Sequence, residues 1–395
     1  MSLLDLWKSS APQVQDKTVS QLIVFAGEGK LRDGTPASGE FREFLANVPT
    51  VYLARYASEC LTLRFDDSGL ALQDIINQIG RRLGFKVTDG RYRGSAAQLG
   101  FDGLWRSPEA HDVLVEVKTT DTYRIDLEVV AGYRRALIKE GRISEDASSI
   151  LIVVGRQDTG DLEAQIRGSP YAWDIRLISV EYLLKLLSIK EEVEDPGTAK
   201  RIRAILVPQE FTRVDGIIDL VFSATEDILQ DEPTDRNGGA EKDEDQPSPR
   251  FTPVAFHEAC VTRIEKVLKV RFVKRSRATF TTADDRVALI CAVSREYDTS
   301  SGKTYWFAFH PHQKETLDGA ARAYVAFGCG SPDTVILIPF AEFGSWLDGM
   351  NKTHLEDGRF YWHVHIFASG DRYTLHRRKG ERRPELTRYV VSEPK

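Results

Sequence analysis

The chain has 395 residues, of which 42% are hydrophobic and 28% are charged, and its formal net charge is −6. These fractions are ordinary for a globular protein, and the length predicts two or three domains. A protein that coats nucleic acid over its whole surface would carry a strong basic excess, so any contact with nucleic acid must come from local basic patches.

The cysteines and the apolar segments indicate the compartment. The four cysteines form no CxxC pair, so they predict neither a disulfide framework nor a cysteine zinc knuckle. The N-terminus lacks the basic segment and apolar stretch of a secretory signal, and no run of 18 apolar residues is present. We therefore expect a cytoplasmic protein with no membrane partner.

Composition divides the chain into four parts. Residues 226–250 are acidic and rich in Pro and Gly, which predicts a flexible linker. Before the linker, residues 1–65 form a predicted helical segment, interrupted by Gly-Thr-Pro at 34–36, and residues 66–225 a predicted α/β domain. Residues 251–395 are predicted to form a second domain, of α+β type. The helical segment either positions nucleic acid or a second subunit, or completes the core of the neighbouring domain.

The α/β domain has the predicted order α-β-β-β-α-β-α-β-α. Apolar residues at helical spacing predict its first helix over 70–83, with Gly84 just after the helix end. Alternating or continuously apolar runs predict the strands. The other predicted elements are strands at 85–90, 100–107, 111–120, 148–155 and 174–180, and helices at 124–141, 160–167 and 181–188. This order favours a mixed sheet flanked by helices.

The strand at 111–120 carries the residues that suggest chemistry. Side chains alternate between the two faces of a strand, so Glu116 and Lys118 project from the same face. Asp102 lies upstream, with 13 residues between it and Glu116. A hairpin of that length can bring Asp102 beside Glu116. The pattern therefore predicts two carboxylates and one ammonium around a single small cavity.

Such a group of side chains suits the hydrolysis of phosphodiesters. Mg²⁺ takes oxygen ligands and keeps several waters, so Asp102 and Glu116 suffice to hold it against a phosphate, with the carbonyl oxygen of Val117 as a further metal ligand. The metal lowers the pKa of water and neutralises developing charge. Lys118 would orient or deprotonate that water, or add positive charge beside the phosphate. We expect Mg²⁺ as the cofactor, with Mn²⁺ as a substitute.

These residues resemble the core of the PD-(D/E)xK nucleases. Asp102 followed by Glu116-Val117-Lys118 matches the D…(D/E)xK pattern of that superfamily. The helix that ends in LGF at 83–85 and the GFDG at 100–103 look most like its Mrr-type branch. The resemblance covers about residues 70–185. It implies a restriction-endonuclease-like fold and a Mg²⁺-dependent DNA endonuclease of prokaryotic restriction or anti-phage defence.

The chain departs from the family pattern at two positions. Phe101 precedes Asp102 where the superfamily name has Pro, as is common in the branch. The helix glutamate that some members use has no clear match, and Asp74 or Gln78 could occupy its face.

Residues near the site that could bind the phosphate backbone are Arg91, Arg93, Thr120 and Arg124.

The second domain is rich in histidine and aromatic residues. It holds two HxH pairs, His310-Pro311-His312 and His363-Val364-His365. Residues i and i+2 of a strand share a face, so each pair could present two imidazoles to one zinc ion, with Cys329 as a possible thiolate. An aromatic surface that recognises nucleic acid or a ligand, and a structural core, are the alternative interpretations. The order of elements also resembles that of the first domain, so an inactive second copy without the ExK residues is a further possibility.

The sequence as a whole favours a DNA endonuclease whose C-terminal domain recognises DNA or a ligand. Cleavage of both DNA strands needs two active sites, so we expect a homodimer. Two alternatives remain open at this point. One is a non-catalytic interaction or ligand-sensing protein on a nuclease-like scaffold, and the other is an RNA-directed nuclease.

Overall fold

The computed structural model describes residues 2–63, 65–93, 99–119, 125–155, 160–193, 195, 197–208, 253–299, 302–354, 359–378 and 380–391. The chain divides into two compact units, Met1–Glu232 and Pro233–Lys395. The predicted linker at 226–250 lies outside the described residues. Within the described ranges, none of the helices has the length and apolar character needed to cross a membrane.

The first unit begins with short helices. They are α1 (Leu3–Ser10), α2 (Pro12–Gln15), α3 (Val19–Ala26), α4 (Pro36–Asn47) and α5 (Thr50–Thr62). Helices α1, α3 and α4 start at Ser2, Thr18 and Thr35, whose hydroxyls accept a hydrogen bond from a backbone amide of the first turn. Helix α3 ends within the apolar stretch that predicts it, because the next residue, Gly27, has a φ of 157° and a ψ of −123°, which a helix does not accommodate.

The rest of the first unit is a mixed α/β layer structure. Its elements are α6 (Ser68–Arg82), β1 (Lys86–Asp89), β2 (Gly103–Arg106), β3 (Asp112–Lys118), α7 (Leu127–Lys139), β4 (Ser148–Val154), α8 (Gly160–Arg167), β5 (Ile175–Ser179), α9 (Val180–Glu192) and α10 (Gly197–Leu206). The sheet order is β1-β2-β3-β4-β5. Strands β1 to β3 pair antiparallel, whereas β3, β4 and β5 pair parallel. The predicted mixed sheet with flanking helices is confirmed, and α10 is an additional helix.

Strand β3 lies at the centre of this sheet and contributes to a core on each face. Val113 and Val115 pack with α6 and the N-terminal helices in one apolar cluster. Leu114 points the other way and packs with residues of α7 and β4 in a second cluster. Phe41 and Phe44 of α4 are fully buried in the first cluster. The N-terminal helices therefore complete the core under one face of the sheet.

One buried arginine also ties the N-terminal helices to α6. Arg82, at the end of α6, is only 2% exposed. Its guanidinium donates to the carbonyl oxygens of Leu45, at 3.1 Å, and of Val48, and to the hydroxyl of Thr50, at 2.8 Å. These acceptors lie at the junction between α4 and α5. The bonds fix that junction against the end of α6, because a buried guanidinium needs acceptors for its donors.

The second unit contains several short strands. Its elements are α11 (Pro253–Leu268), β6 (Val273–Lys274), β7 (Thr279–Thr281), β8 (Val287–Ser294), β9 (Tyr297–Thr299), β10 (Gly302–Phe309), α12 (Pro311–Asp318), β11 (Arg322–Cys329), β12 (Val335–Pro339), α13 (Phe340–Gly344), β13 (Lys352–His354), β14 (Phe360–Ser369) and β15 (Arg372–His376), with 3₁₀ turns at Leu347–Gly349 and Thr387–Tyr389.

Two sheets form the second unit. The inner sheet has the order β12-β11-β8-β7-β6, and the outer sheet has the order β13-β14-β10-β9, with β15 also paired to β14. Ile290 and Phe327 of the inner sheet share one core with Phe307 and Val364 of the outer sheet. The opposite face of the inner sheet packs against α11, for example at Ile264. The inner sheet is therefore covered on both faces.

The connection of elements around the inner sheet is similar to that in the first unit. In each unit a helix precedes three antiparallel strands, and a later helix leads to a strand parallel to the third. In the second unit the strands β9 and β10 are inserted before that later helix, α12. Strand β8 ends in Ala292-Val293-Ser294, without a carboxylate or a lysine. The second unit thus shares the connectivity of the first up to the fourth strand, without its charged residues. Its next strand, β12, pairs antiparallel with β11, whereas β5 pairs parallel with β4.

Candidate active site

The structure brings Asp102, Glu116 and Lys118 together at one end of β3. Asp102 directly precedes β2, which pairs antiparallel with β3 so that Gly103 lies opposite Val115. The Asp102 carboxylate accepts a hydrogen bond from the Val117 amide, at 2.7 Å. The Lys118 ammonium donates to Glu116 Oε1, also at a short distance of 2.6 Å. Two carboxylates and one ammonium therefore occupy the same small region.

Two amide side chains of α6 fix the position of Asp102. Its carbonyl oxygen accepts hydrogen bonds from Gln73 Nε2 at 3.0 Å, from Asn77 Nδ2 at 2.9 Å and from the Gly90 amide at 3.0 Å. Gln73 and Asn77 are both buried. Sequence reasoning did not single them out, although two amides four residues apart share one face of a helix.

Two glycines allow this close packing around Asp102. A Cβ atom added at Gly103 would lie 2.2 Å from Asn77 Oδ1, and one at Gly90 would lie 1.9 Å from the carbonyl oxygen of Phe101. Both distances are well inside van der Waals contact, so a side chain at either position would force the backbone apart. Asp102 therefore needs a glycine in two places. Gly103 follows it in the chain, and Gly90 lies against it after β1.

The two carboxylates lie in a largely buried setting. Burial, and next the charge of Glu116, raise the pKa of Asp102 to about 7, although the Val117 amide and Lys118 act in the opposite direction. Burial alone would lower the pKa of Lys118, but Glu116 and then Asp102 raise it overall. Two carboxylates against one ammonium leave an excess of negative charge, which a cation would offset.

One oxygen of this site has no protein partner. Glu116 Oε2 is buried and accepts no hydrogen bond from the residues that the structure describes. Buried polar atoms are rarely left unpaired, and those that are need an explanation. An oxygen-preferring divalent cation between Glu116 and Asp102 would supply the missing interaction. The residues present thus fit such a metal ion.

Val117 is suitably placed to contribute a third oxygen. Its amide points towards Asp102, and the N–H and C=O groups of one strand residue point to the same side of the strand. The described parts of the chain contain no group of three or more His, Cys, Asp or Glu side chains able to hold a metal. A metal here would therefore rely on two carboxylates, this carbonyl oxygen, and oxygens of water or substrate.

The two candidates for an acidic helix residue lie elsewhere on α6. Asp74 accepts hydrogen bonds from Arg42 Nε, at 2.8 Å, and from the Tyr92 hydroxyl. Burial raises the pKa of Asp74 to about 6, against the influence of Arg42 and Tyr92. Asp74 thus joins α4 to the segment after β1 and bonds to none of the three charged residues. Gln78 is buried one turn further along the helix.

The candidate nucleic-acid contacts are only partly within the described residues. Arg91 and Arg93 are exposed, and both contact Asp33: the Arg91 side chain lies 3.8 Å from its carboxylate, and the Arg93 amide donates to it. They follow Gly90, whose amide donates to Asp102. Thr120 and Arg124 lie outside the described residues.

The HxH pairs of the second unit adopt two different arrangements. Strand β10 ends at Phe309 and Pro311 begins α12, so the first pair spans a strand–helix junction. In the second pair, His363 Nδ1 accepts from Trp306 Nε1 at 3.1 Å, and His363 Nε2 lies 2.6 Å from Thr353 Oγ1. Both ring nitrogens of His363 are therefore used within the protein, which leaves neither available to a zinc ion.

No family model matches the chain, and no curated protein matches it either. What the site can do therefore follows from its own residues. Two adjacent carboxylates, Glu116 buried with an unpaired oxygen and Asp102 half-buried, can hold a hard divalent cation, and the neighbouring ammonium can stabilise an anion bound beside it.

Proposed function

We propose that the first unit is a divalent-metal-dependent nuclease that hydrolyses phosphodiester bonds of DNA, with Asp102, Glu116 and Lys118 as its catalytic residues. The observation that carries the proposal is the unpaired buried oxygen of Glu116 beside Asp102 and Lys118. The mixed sheet, with antiparallel β1 to β3 and parallel β4, is compatible with a restriction-endonuclease-like fold. This compatibility and the ExK pattern support our proposal that the chain is a PD-(D/E)xK nuclease, nearest the Mrr-type branch.

Asp102, Glu116 and the carbonyl oxygen of Val117 would hold Mg²⁺, or Mn²⁺ in its place. When bound, such an ion lowers the pKa of a water molecule and offsets the charge that develops on the phosphate. Asp102 is pre-positioned for this task, because three donors fix its carbonyl oxygen and the Val117 amide orients its carboxylate. A site held in place before substrate binds loses little energy to reorganisation.

Lys118 would act on the substrate rather than on the metal. Its ammonium is held by Glu116 on the face of β3 from which both side chains project. About two thirds of the Lys118 side chain is shielded from solvent, so its charge acts through a less polar medium than water. There it can orient the attacking water and stabilise the negative charge of the phosphodiester.

The wider role also remains a proposal. Arg91 and Arg93, exposed beyond Gly90, would contact the DNA backbone. Cleavage of both strands requires two active sites, so the acting form would be a homodimer. Restriction or anti-phage defence in the cytoplasm follows from the resemblance to Mrr-type nucleases.

The test is cleavage of supercoiled plasmid by the full chain under single-turnover conditions, with saturating Mg²⁺ and then with EDTA. Lys118→Ala should lower the cleavage rate by about 10²–10⁴-fold while the metal affinity stays close to that of the wild type. Lys118→Arg should not restore the rate, because a guanidinium is broader and stays protonated. Lys139→Ala, at the exposed end of α7, is the matched control and should cleave normally.

Each outcome discriminates between the candidate functions. A fully active Lys118→Ala enzyme would remove Lys118 from the site and with it the superfamily assignment. Cleavage of structured RNA in preference to plasmid would favour the RNA-directed nuclease. A wild-type protein that binds Mn²⁺ but cleaves neither substrate would favour the non-catalytic scaffold.

A further inference from the structure

The outer sheet of the second unit has one face rich in aromatic and imidazole rings. On β14, Trp362, Val364, Ile366 and Ala368 point inwards and are buried, whereas the alternate residues point outwards and are partly or well exposed. We call the outward set, with its neighbours on β10 and β15, the aromatic face. It consists of Trp306, Tyr361, His363, His365, Phe367 and His376. None of these belongs to a hydrophobic core cluster of the described residues.

The strand register places these rings side by side. His365 of β14 lies opposite Trp306 on β10 and opposite His376 on β15. Phe367 stacks on His376, with ring centroids 5.3 Å apart and planes 26° apart. Along β14, the ring of His363 lies 5.1 Å from that of Tyr361 and 5.9 Å from that of His365. The rings therefore form a continuous surface across three strands.

Hydrogen bonds hold part of this surface rigid. Trp306 Nε1 donates to His363 Nδ1, so the remaining ring proton of a neutral His363 is on Nε2 and is donated to Thr353 Oγ1. This chain links β10, β14 and β13 across the sheet. Rings that are already fixed lose little conformational entropy when a ligand binds, which favours a binding surface over a loose cluster of side chains.

A strongly basic segment borders the aromatic face. Residues 372–388 contain seven Lys or Arg and two Glu, in a chain whose net charge is −6. After β15 the segment folds back along that strand. The Leu375 amide donates to the Pro384 carbonyl oxygen, and Thr374 and Glu385 pair in an antiparallel β-bridge. This arrangement brings Arg383 alongside His376, where its charge, after burial, lowers the pKa of that imidazole. Positive charge thus lies directly at the edge of the rings.

We propose that the aromatic face binds single-stranded nucleic acid, with unpaired bases on the rings of β10, β14 and β15 and phosphates along residues 372–388. Stacking on aromatic rings next to a cationic groove is the chemistry that retains single strands without sequence preference. A duplex fits this face poorly, because its bases are already stacked on one another. The proposed surface belongs to the second unit and is separate from the carboxylates of the first.

The face matches the composition of a protein interface only in part. The cores of protein interfaces are enriched in Tyr, Trp, Phe, Met and Arg, whereas three of the six rings of this face are imidazoles. Among the described residues of the second unit, Val267 on α11 is the one large apolar side chain that is well exposed, at 42%. The aromatic face instead carries histidines and borders arginines, which suits an anionic ligand with flat rings.

The test measures binding of fluorescein-labelled oligothymidylate and oligouridylate of about 20 nucleotides, longer than one such surface covers. The full chain is used in EDTA at fixed salt, so that no cleavage occurs, and binding is followed by fluorescence anisotropy. Replacing a stacking ring typically costs about 1–3 kcal/mol per base, which is about a 5- to 150-fold loss of affinity. We expect a loss of that size for Phe367→Leu and for Tyr361→Leu, which keep apolar volume but remove the ring.

Matched controls separate this surface from general effects. Trp173→Ala removes a tryptophan that is 67% exposed in the first unit, and should leave affinity unchanged. Arg383→Ala should weaken binding, whereas Arg322→Ala, which removes an exposed arginine of the inner sheet, should not. Trp306→Phe keeps a ring but loses the hydrogen bond to His363, so it should weaken binding less than Phe367→Leu does.

The outcomes distinguish this inference from the proposed nuclease function. Wild-type affinity in Phe367→Leu and Tyr361→Leu would overturn the inference, even if Mg²⁺-dependent cleavage persists. Equally tight binding of a duplex of the same length, lost in the same variants, would assign the face to double-stranded DNA instead and also overturn it. A wild-type protein that binds the oligonucleotides through these rings but does not cleave plasmid with Mg²⁺ would contradict the proposed nuclease function alone and leave this inference standing. Tighter binding of one oligonucleotide than of the other would identify the natural strand as DNA or RNA, and support the inference either way.

Discussion

Gln165 holds the backbone of Ile125 through both groups of its side-chain amide. Its Oε1 accepts from the Ile125 amide at 3.1 Å, and its Nε2 donates to the Ile125 carbonyl oxygen at 2.6 Å. Ile125 lies just before α7, on the connection that leaves β3 after Lys118. The pair of bonds therefore fixes the far end of the connection that begins at the candidate active site.

Gln165→Leu should slow DNA cleavage without loss of the fold. Both hydrogen bonds disappear while the side-chain volume is nearly kept, and each bond contributes about 1 kcal/mol. We expect kcat to fall by about tenfold with little change in KM, because the connection after Lys118 loses its anchor. Gln165→Glu, which keeps the acceptor and loses the donor, should have an intermediate rate.

Arg167→Ala is the matched control for this prediction, since Arg167 is exposed on the same helix, α8. Its cleavage rate should equal that of the wild type. A Gln165→Leu protein with unchanged kcat would show that the anchor has no bearing on the reaction.

Asp102→Asn should stabilise the metal-free protein and abolish its response to Mg²⁺. Asp102 is a half-buried carboxylate next to Glu116, and the loss of solvent around it and that neighbour both raise its pKa. An asparagine removes the charge and keeps an oxygen for the Val117 amide. We expect Tm in EDTA to rise by about 2–4 °C, which corresponds to roughly 1 kcal/mol in a unit of this size.

Differential scanning calorimetry with and without Mg²⁺ measures both effects. The wild type should gain Tm on addition of Mg²⁺, because a ligand that binds the folded state stabilises it. Asp126→Asn is the control: Asp126 caps α7, and asparagine is an equally good cap, so both Tm values should follow the wild type. A lower Tm of Asp102→Asn in EDTA would mean that Asp102 is primarily structural.

Gly80→Ala should destabilise the first unit, whereas Gly132→Ala should not. A Cβ atom at Gly80 of α6 would lie 2.6 Å from the ring of Trp105, which is fully buried. Such overpacking costs about 1–3 kcal/mol. At Gly132 of α7 the nearest neighbour is the end of the Arg135 side chain, at 3.8 Å. There alanine should stabilise the helix by about 0.5–1 kcal/mol.

Urea unfolding of the two variants provides the comparison. Both glycines lie within helices, so the two variants differ mainly in the side chain that the added methyl group would contact. If the urea midpoints of the two variants shifted in the opposite directions, or if Gly80→Ala were as stable as the wild type, α6 would not pack against Trp105 as described.

The order of elements in the first unit was predictable because its signals are local. Apolar periodicity over α6 and the alternation of Val113, Leu114 and Val115 depend only on neighbouring residues. Strands of two or three residues, such as β6 and β13, are too short to show a period, and their pairing with the next strand along the chain defines them. Helix α12 escaped prediction because the sequence shows no apolar stripe there, only Pro311 at its first position.

The charged residues of the candidate site were predictable from their types and spacing, and the residues that position them were not. Asp102, Glu116 and Lys118 follow a pattern along the chain. Gln73 and Asn77 act through contacts with a backbone oxygen more than 20 residues away, which no local pattern encodes. The unpaired oxygen of Glu116 likewise depends on what surrounds it in three dimensions.

The buried Arg82 sets a limit on how the protein can be dissected. Its guanidinium is bonded to Leu45, Val48 and Thr50, all of which precede the boundary at residue 65 that composition suggests. A chain trimmed to begin after that boundary would retain the arginine and lose its acceptors, leaving a charge against exposed apolar surface of α6. Loss of activity in such a fragment would therefore reflect loss of folding, and a fragment in which catalysis can be fairly judged must include α4 and α5.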